Sequence, residues 1–291
     1  FTHSKTLDFD VPVIDHSFSL RLEPHTDSRQ IICDLRKRVL PTEHLTEVTD
    51  EWGTTMCVGD CYAPHTHFSY SVSGIAWMKD TPYTEGPLHP AYRYPSELTH
   101  PGDAVRQLYA QGHRSSGSPM ERAEAWMHFI YQQMTYEKGV TTVQTTAEQA
   151  AVLRRGVCQD FAHLMLALCR LDGIPARYIV GYLYGEGETH AWVEIYDGTR
   201  WGGLDPTNDC PIDSRYITLT RGRDYNDCIL DKGFFRTSGS QSQKVQQTQH
   251  VHVIVQELSG IADKRRAYRL FRSFGGIIYD ARGCFRRASC R

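Results

Sequence analysis

The stretch Gly156-Val-Cys-Gln-Asp-Phe-Ala-His-Leu-Met-Leu-Ala-Leu-Cys-Arg-Leu-Asp-Gly173 decides how the rest of the chain is arranged. A nearly uninterrupted apolar run follows Cys158 and stops at Asp172-Gly173, where glycine is a common helix-ending residue. A helix that is apolar on every side cannot lie on a surface. The stretch therefore predicts a buried helix with Cys158 at its amino-terminal end.

Cys158 is a candidate nucleophile because of this position. The first turn of a helix presents unpaired N–H groups and the positive end of the helix dipole, and both favour a thiolate over a thiol. Cys169 lies deeper in the same helix, and we interpret it as a structural residue because free cysteines are among the most buried residue types.

Two candidate partners for this cysteine lie downstream. Residues 189–196 alternate in the manner of a half-buried strand, and Asp197-Gly198 predicts a hairpin turn into a second strand that ends at Asp205. Pairing of these strands would bring His190, at the start of the first, close to Asp205. With Cys158 they can form a Cys-His-Asp triad, the arrangement that activates a thiol for nucleophilic catalysis.

Four short motifs carry a family resemblance. They are Gly-Val-Cys-Gln-Asp-Phe-Ala-His (156–163), Gly-Ile-Pro-Ala-Arg-Tyr (173–178), Thr-His-Ala-Trp-Val-Glu (189–194) and Leu-Asp-Pro-Thr (204–207). In this order and spacing they resemble the bacterial transglutaminase-like superfamily. The resemblance implies a papain-like fold, and the family's catalytic cysteine, histidine and aspartate fall on Cys158, His190 and Asp205.

The expected fold class is α+β, with an N-terminal antiparallel β domain followed by a papain-like helix-plus-sheet core. Short alternating segments broken by Pro and Gly predict the β domain over residues 1–80, which is also similar to the N-terminal domain of the family. A segment rich in Pro, Tyr and His, residues 81–117, is interpreted as a crossover. The catalytic core is expected over 118–258, with a strand near its end after the polar run 238–249, and a basic tail over 259–291.

Two helix starts are predicted ahead of the cysteine. Ser118 and Glu121 form a capping box that opens a helix over residues 119–134. Thr145 and Glu148 form a second box that opens a short helix ending near residue 154.

Candidate cleft residues lie between these helices. Tyr136 and Gln144 could line the cleft upstream of the thiol, although both are more often ordinary loop residues. The backbone N–H of Cys158 is the expected oxyanion donor, because it points toward any carbonyl carbon that the sulfur attacks.

Composition limits the partners. The net charge of −2 predicts no nucleic-acid binding, and no run approaches the roughly 18 apolar residues of a membrane span. Nine irregularly spaced cysteines and the absence of a signal-like start predict a reducing cytoplasm. No calcium-loop motif is present, no cofactor is expected, and the sequence does not indicate an oligomeric state.

Two other features are weaker candidates. Cys57, Cys61, His65 and His67 fit no standard zinc spacing, so no metal site is predicted and these are interpreted as strand and turn residues. Residues 264–291 carry nine Lys or Arg against Asp280. This tail is either an electrostatic arm for acidic partners or a solvated segment.

The predicted function is acyl transfer on amide bonds of peptides or proteins through a thioester on Cys158. A cysteine peptidase, isopeptidase or amidase is favoured because water is the default nucleophile in an open cleft. The alternatives are a protein-glutamine transglutaminase, in which an amine resolves the thioester, and an inert papain-like scaffold, because fold alone does not establish activity.

Overall fold

The computed structural model describes residues 1–112, 116–237 and 246–258. These residues form two large antiparallel sheets, with the α-helices packed on the second, and a two-stranded parallel sheet of Thr135–Tyr136 and Arg155–Gly156. The strands are β1 (Thr2–Leu20), β2 (Gln30–Leu40), β3 (His44–Thr49), β4 (Thr55–Cys61), β5 (His65–Met78), β6 (Tyr83–Thr84), β7 (Thr135–Tyr136), β8 (Arg155–Gly156), β9 (Ala176–Leu183), β10 (Gly185–Gly187), β11 (His190–Tyr196), β12 (Trp201–Asp205), β13 (Cys210–Pro211), β14 (Tyr216–Gly222), β15 (Asp231–Thr237) and β16 (Gln247–Val255). The α-helices are α1 (Asp103–Gly112), α2 (Pro119–Gln133), α3 (Ala147–Leu153) and α4 (Cys158–Leu171). Short 3-10 turns span Pro90–Arg93, Glu97–Thr99 and Tyr225–Cys228.

The N-terminal sheet is organised around β1, which is long enough to serve two sets of neighbours. Its first half pairs with β5 on one side and with β16 on the other, and its second half pairs with β4 and β15. The remaining strands β2, β3 and β10 extend the sheet from β5, β4 and β16. Apolar β1 side chains, among them Phe9, Val13 and Phe18, are buried in an apolar cluster, with a register shift of the strand between Ile14 and Ser17.

The core sheet has the order β13-β12-β11-β9-β14, with the short β6 added to β12. Buried residues of α1 to α4 form one apolar cluster with β9, β11 and β12. Helix α4 is the centre of this cluster, since every residue from Gln159 to Arg170 is buried. It ends at Leu171 and is followed by Gly173, whose φ of +70° is a left-handed conformation that glycine adopts without strain. The predicted buried helix is confirmed.

The helices before α4 begin close to where their caps are predicted. Ser118 and Glu121 cap α2 reciprocally, as expected. The cap of α3 is one residue later than predicted, because Thr146 and Gln149 form the box. Glu148 instead accepts hydrogen bonds from the backbone N–H groups of Ala104 and Val105 at the start of α1, at 2.8 and 3.0 Å.

Buried polar side chains join the two sheets. The Gln30 side chain exchanges hydrogen bonds with the backbone of Thr218, donating at 2.7 Å and accepting at 2.8 Å, as a neighbouring strand would. Arg29 donates to the Tyr216 carbonyl at 2.6 Å, and Arg221 forms an ion pair with Asp27 at 3.0 Å. These contacts fix the N-terminal sheet against the edge strand β14 of the core.

Strands from the expected crossover and core segments are divided between the two large sheets. Within 81–117, β6 joins the core sheet and α1 packs in the core cluster. Within 118–258, β15 and β16 pair with β1, so the end of the chain's described part lies in the N-terminal sheet. Most of the polar run 238–249 and the whole tail 259–291 lie outside the described residues. No described helix combines the length and the apolar character needed to cross a bilayer.

Candidate active site

Cys158 is the first residue of α4, and its thiol is partly accessible. The helix start is held by Asp160, whose carboxylate accepts hydrogen bonds from the Val157 backbone N–H and the Thr141 hydroxyl, both at 2.7 Å. Gly156 makes room for this carboxylate, since a Cβ there would lie 2.3 Å from Asp160 Oδ2. The backbone on both sides of Cys158 is therefore fixed, and its sulfur lies at the positive end of the helix dipole.

His190 and Asp205 come together through the hairpin of β11 and β12. Tyr196 pairs with Trp201 across the turn, which places the start of β11 beside the end of β12. His190 Nε2 lies 2.7 Å from Asp205 Oδ2. The Cys158 thiol lines the same cleft as His190, and its interaction with the ring is one of the causes that raise the pKa of His190. The structure thus brings the three predicted site residues together in the order thiol, imidazole, carboxylate.

Asp205 is fully buried and is held by more donors than His190 alone. Tyr216 OH and Asn208 Nδ2 donate to its Oδ2 at 2.9 and 2.7 Å, and the Thr207 backbone N–H donates to Oδ1 at 2.9 Å. Burial raises the pKa of Asp205, but these hydrogen bonds, led by that of His190, outweigh it and hold the pKa below its ordinary value. The carboxylate therefore stays ionised and fixed in orientation.

The His190 ring is only 13% exposed and lies against aromatic side chains. Trp192 stacks near it at a centroid distance of 6.3 Å, and Tyr216 lies at 6.2 Å. Burial lowers the pKa of His190, but hydrogen bonds to Asp205 and Cys158 and the charges of both outweigh it and raise the pKa from 6.5 to about 10. The ring is therefore an imidazolium at neutral pH, which can donate a proton to a leaving group.

This pKa shift predicts how stability depends on pH. Because the pKa of His190 is higher in the folded protein than the 6.5 of the unfolded chain, its protonation stabilises the fold fully below about pH 6.5. We expect this contribution to the free energy of unfolding to be lost as the pH rises toward about 10. Urea unfolding between pH 6 and 10 measures it, and His190→Gln should show a flatter alkaline dependence. Identical slopes in the two proteins would contradict the shift.

A cleft of about 610 Å³ opens beside Cys158 and His190. One wall comes from the segments before α4 and includes Tyr136, Lys138 and Val143, whereas Gln144 does not line it. Residues 184–189 also line it, as do Tyr178 and Val180 of β9. Strands of the N-terminal sheet contribute the rest of the lining.

Two residues of the site escape the sequence-based reasoning. Asn208 lies three residues after Asp205 in an Asp-Pro-Thr-Asn turn, and such turns often place an Asp side chain on following N–H groups. That signal could have identified it. Tyr216 reaches Asp205 from β14, which does not pair with β12, and no local pattern marks it.

The cysteine and histidine group of the N-terminal sheet forms strand contacts. Cys57 and Cys61 are buried on β4, and His65 Nε2 lies 3.1 Å from His16 Nδ1. His67 pairs with Asp8 at 2.7 Å on the surface. Within residues 1–112, 116–237 and 246–258, no group of three or more His, Cys, Asp or Glu is arranged to hold a metal ion.

Comparison with known families assigns both parts of the chain. Residues 106–206 match the transglutaminase-like superfamily, and residues 1–76 match the bacterial transglutaminase-like N-terminal region. An uncharacterized protein of Mycobacterium leprae is 30% identical over 264 residues, which cover 82% of this chain and 93% of the relative. The chain belongs to the transglutaminase-like superfamily. The predicted family and fold class are therefore confirmed.

Two further proteins are similar to this chain. An uncharacterized protein of Mycobacterium tuberculosis is 37% identical over 164 residues, which cover 51% of each chain. The crystal structure of a candidate cysteine protease from Cytophaga hutchinsonii superposes with a TM-score of 0.70 at 25% identity, covering 89% of this chain and 91% of that one. The family and this neighbour indicate, at a general level, an enzyme family that depends on cysteine.

Proposed function

We propose that the chain is a cysteine-dependent acyl-transfer enzyme that acts on amide bonds of peptides or proteins, with Cys158, His190 and Asp205 as its catalytic triad. The observation that carries this proposal is the position of the His190 ring, which hydrogen-bonds the buried Asp205 carboxylate and lines the same cleft as the Cys158 thiol. A thiol, an imidazolium and a carboxylate in sequence are the groups that nucleophilic amide cleavage needs.

The first half of the reaction forms a thioester. The Cys158 thiolate attacks the amide carbonyl carbon, and the resulting oxyanion is stabilised by the backbone N–H of Cys158 at the helix start. His190 donates its proton to the departing amine, and the C–N bond breaks. Asp205 keeps the ring oriented and balances its charge throughout. The products of this step are a free amine and an acyl group on the sulfur.

The second half determines the class of enzyme. Water, deprotonated by the now neutral His190, can attack the thioester and release a carboxylic acid, whereas an amine would release a new amide. We favour hydrolysis, and thus a peptidase, isopeptidase or amidase, because the cleft is open to solvent along residues 184–189, where Glu186 and Glu188 are exposed. Transamidation, in which a protein glutamine donates the acyl group and an amine accepts it, is the alternative, since the same triad serves it.

The choice between hydrolysis and transamidation is tested by measuring whether water or a labelled amine resolves the thioester. The purified chain is incubated with a glutamine-containing protein and a labelled primary amine, with ammonia release followed in parallel and Cys158→Ala as control. Both routes expel ammonia when the thioester forms, so ammonia reports acylation alone. We expect little incorporation of label, because water competes in an open cleft. Peptide or isopeptide fragments without label would indicate a protease, and ammonia without label would indicate a deamidase.

Two outcomes overturn parts of the proposal. Incorporation of label that rises with amine concentration would replace hydrolysis by transamidation. Absence of every product, together with no preferential alkylation of Cys158 by iodoacetamide at neutral pH, would identify an inert scaffold.

A further inference from the structure

The cleft beside Cys158 has a second contributor, the N-terminal sheet. Side chains from five of its strands line the same space: His3 and Lys5 from β1, Tyr70 from β5, Glu186 from β10, Asp231 from β15, and Gln249 and Val251 from β16. The pairing of Lys5 with both Tyr70 and Val251 places these strands side by side at this point. A ligand in the cleft would therefore touch both sheets.

An ion pair lies where the strands of the N-terminal sheet line the cleft. Lys5 Nζ is 2.6 Å from Asp231 Oδ2, and the two side chains are 11% and 26% exposed. Tyr70 OH donates to the other oxygen, Asp231 Oδ1, at 3.2 Å. Because each carboxylate oxygen has its own donor, the orientation of Asp231 is fixed.

Both charged groups keep hydrogen-bonding capacity for a ligand. An ammonium has three N–H donors, and in the described part of the chain the Lys5 ammonium uses one, toward Asp231. Each carboxylate oxygen can accept two hydrogen bonds, and each Asp231 oxygen accepts one from the described residues. Unused donors and acceptors thus lie next to each other at the cleft surface.

The neighbouring His3 adds no charge. Burial, opposed by the charge of Asp231 and reinforced by that of Lys5, lowers its pKa to about 4, so the ring is neutral at physiological pH. Its Nδ1 lies 3.1 Å from Tyr182 OH. In the described part of the chain, the charged groups in contact beside His3 are Lys5 and Asp231, whereas Glu186 of β10, which also lines the cleft, pairs with His252.

The Lys5–Asp231 ion pair favours a ligand that carries both a negative and a positive charge. A partly buried ion pair contributes little net stability, because the loss of hydration offsets the attraction. A ligand with only a positive or only a negative charge would be attracted by one member and repelled by the other. A ligand with an ammonium and a carboxylate on the same carbon matches both, through charge-assisted hydrogen bonds that are roughly twice as strong as neutral ones.

We propose that Lys5 and Asp231 form a subsite for a free α-amino acid end of the substrate. Lys5 binds its carboxylate, Asp231 binds its ammonium, and the amide to be cleaved lies at Cys158. This rests on the proposed function and narrows it to amides linked through the side chain of an unblocked amino acid, such as an isopeptide, in preference to amides within a polypeptide.

Calorimetric titration of the Cys158→Ala protein tests the subsite without turnover. The probes are L-glutamine and Nε-alanyl-L-lysine, which place the free end at two distances from the amide, each compared with its analogue blocked at the α-amine and α-carboxyl. We expect at least one free probe to bind about 10-fold or more tightly than its blocked form. Equal binding of free and blocked forms, or binding of neither, would refute the subsite. Turnover of blocked amides by the wild-type chain would show that the proposed enzyme activity survives that failure.

Variants of the ion pair test whether Lys5 and Asp231 cause the preference for free over blocked probes. The double variant Lys5→Met/Asp231→Asn removes both charges together, and we expect it to bind free and blocked probes alike. Tyr70→Phe keeps both charges but removes the hydrogen bond that orients Asp231. We expect this variant to prefer the free probe over the blocked probe several-fold less than the parent protein does. This second variant tests the subsite even if the double variant does not fold. Lys37→Met is the matched control, because Lys37 lies on β2 of the same sheet, forms ion pairs with Glu23 and Glu47, and does not line the cleft. An unchanged preference in the double variant and in Tyr70→Phe would exclude these residues.

Discussion

Replacement of Cys158 by alanine is expected to lower kcat/KM on amide substrates by at least about 10⁴-fold, because no other group in the site can form the thioester. The fold should persist. The thiol lies at the helix start and partly faces the cleft, and the cap that holds α4 comes from Asp160 and does not involve the sulfur. Steady-state kinetics and thermal unfolding of the same preparation measure both effects.

Cys33→Ala provides the matched control for this variant. Cys33 is a buried cysteine of the N-terminal sheet, outside the cleft, and its loss should leave kcat/KM near that of the wild type. Retention of turnover in Cys158→Ala, or loss of turnover in both variants, would remove the thiol from the mechanism.

Replacement of Asp205 by asparagine is expected to lower kcat/KM by about 10² to 10⁴-fold and to leave measurable activity. The nucleophile is retained, but the charge that holds His190 as an imidazolium is lost. The amide must also face the donors of Asn208 and Tyr216, so its NH₂ group can turn toward the histidine. The pKa of His190, followed by NMR, should fall in the variant, a change that a merely structural role would not produce.

Asp209→Asn is the corresponding control, since Asp209 lies in the same turn but pairs with His128 of α2 and not with His190. It should keep the kinetics of the wild type. If Asp205→Asn unfolds the chain, or lowers activity without changing the pKa of His190, Asp205 acts as a structural residue.

Local chemistry explains what the sequence predicts well. The bounds of α4 follow from an apolar run and a terminal glycine, and the cap of α2 follows from Ser118 and Glu121. The approach of His190 to Asp205 follows from a hairpin of predictable length. Each signal lies within a few residues of the structure that it determines.

The failures have equally physical causes. The sequence Thr145-Thr-Ala-Glu-Gln149 contains two overlapping capping boxes, and the choice between them depends on α1, which takes Glu148 as its own cap. Likewise, the alternating patterns of β15 and β16 predict strands but do not indicate which strand each pairs with. Their partner is β1, more than 200 residues away, so the cleft wall with Lys5 and Asp231 could not be anticipated.

The pairing of Thr2 with Ile254 has a consequence for the time course of folding. During synthesis β1 is made before β15 and β16, and it lacks these partners until almost the whole described chain has been translated. Contacts of such large sequence separation form slowly, and an unpaired strand edge can meanwhile join other chains. The helices around Cys158 depend mostly on nearer contacts and can assemble earlier. A nascent chain would therefore carry its nucleophile before the sheet that completes its cleft.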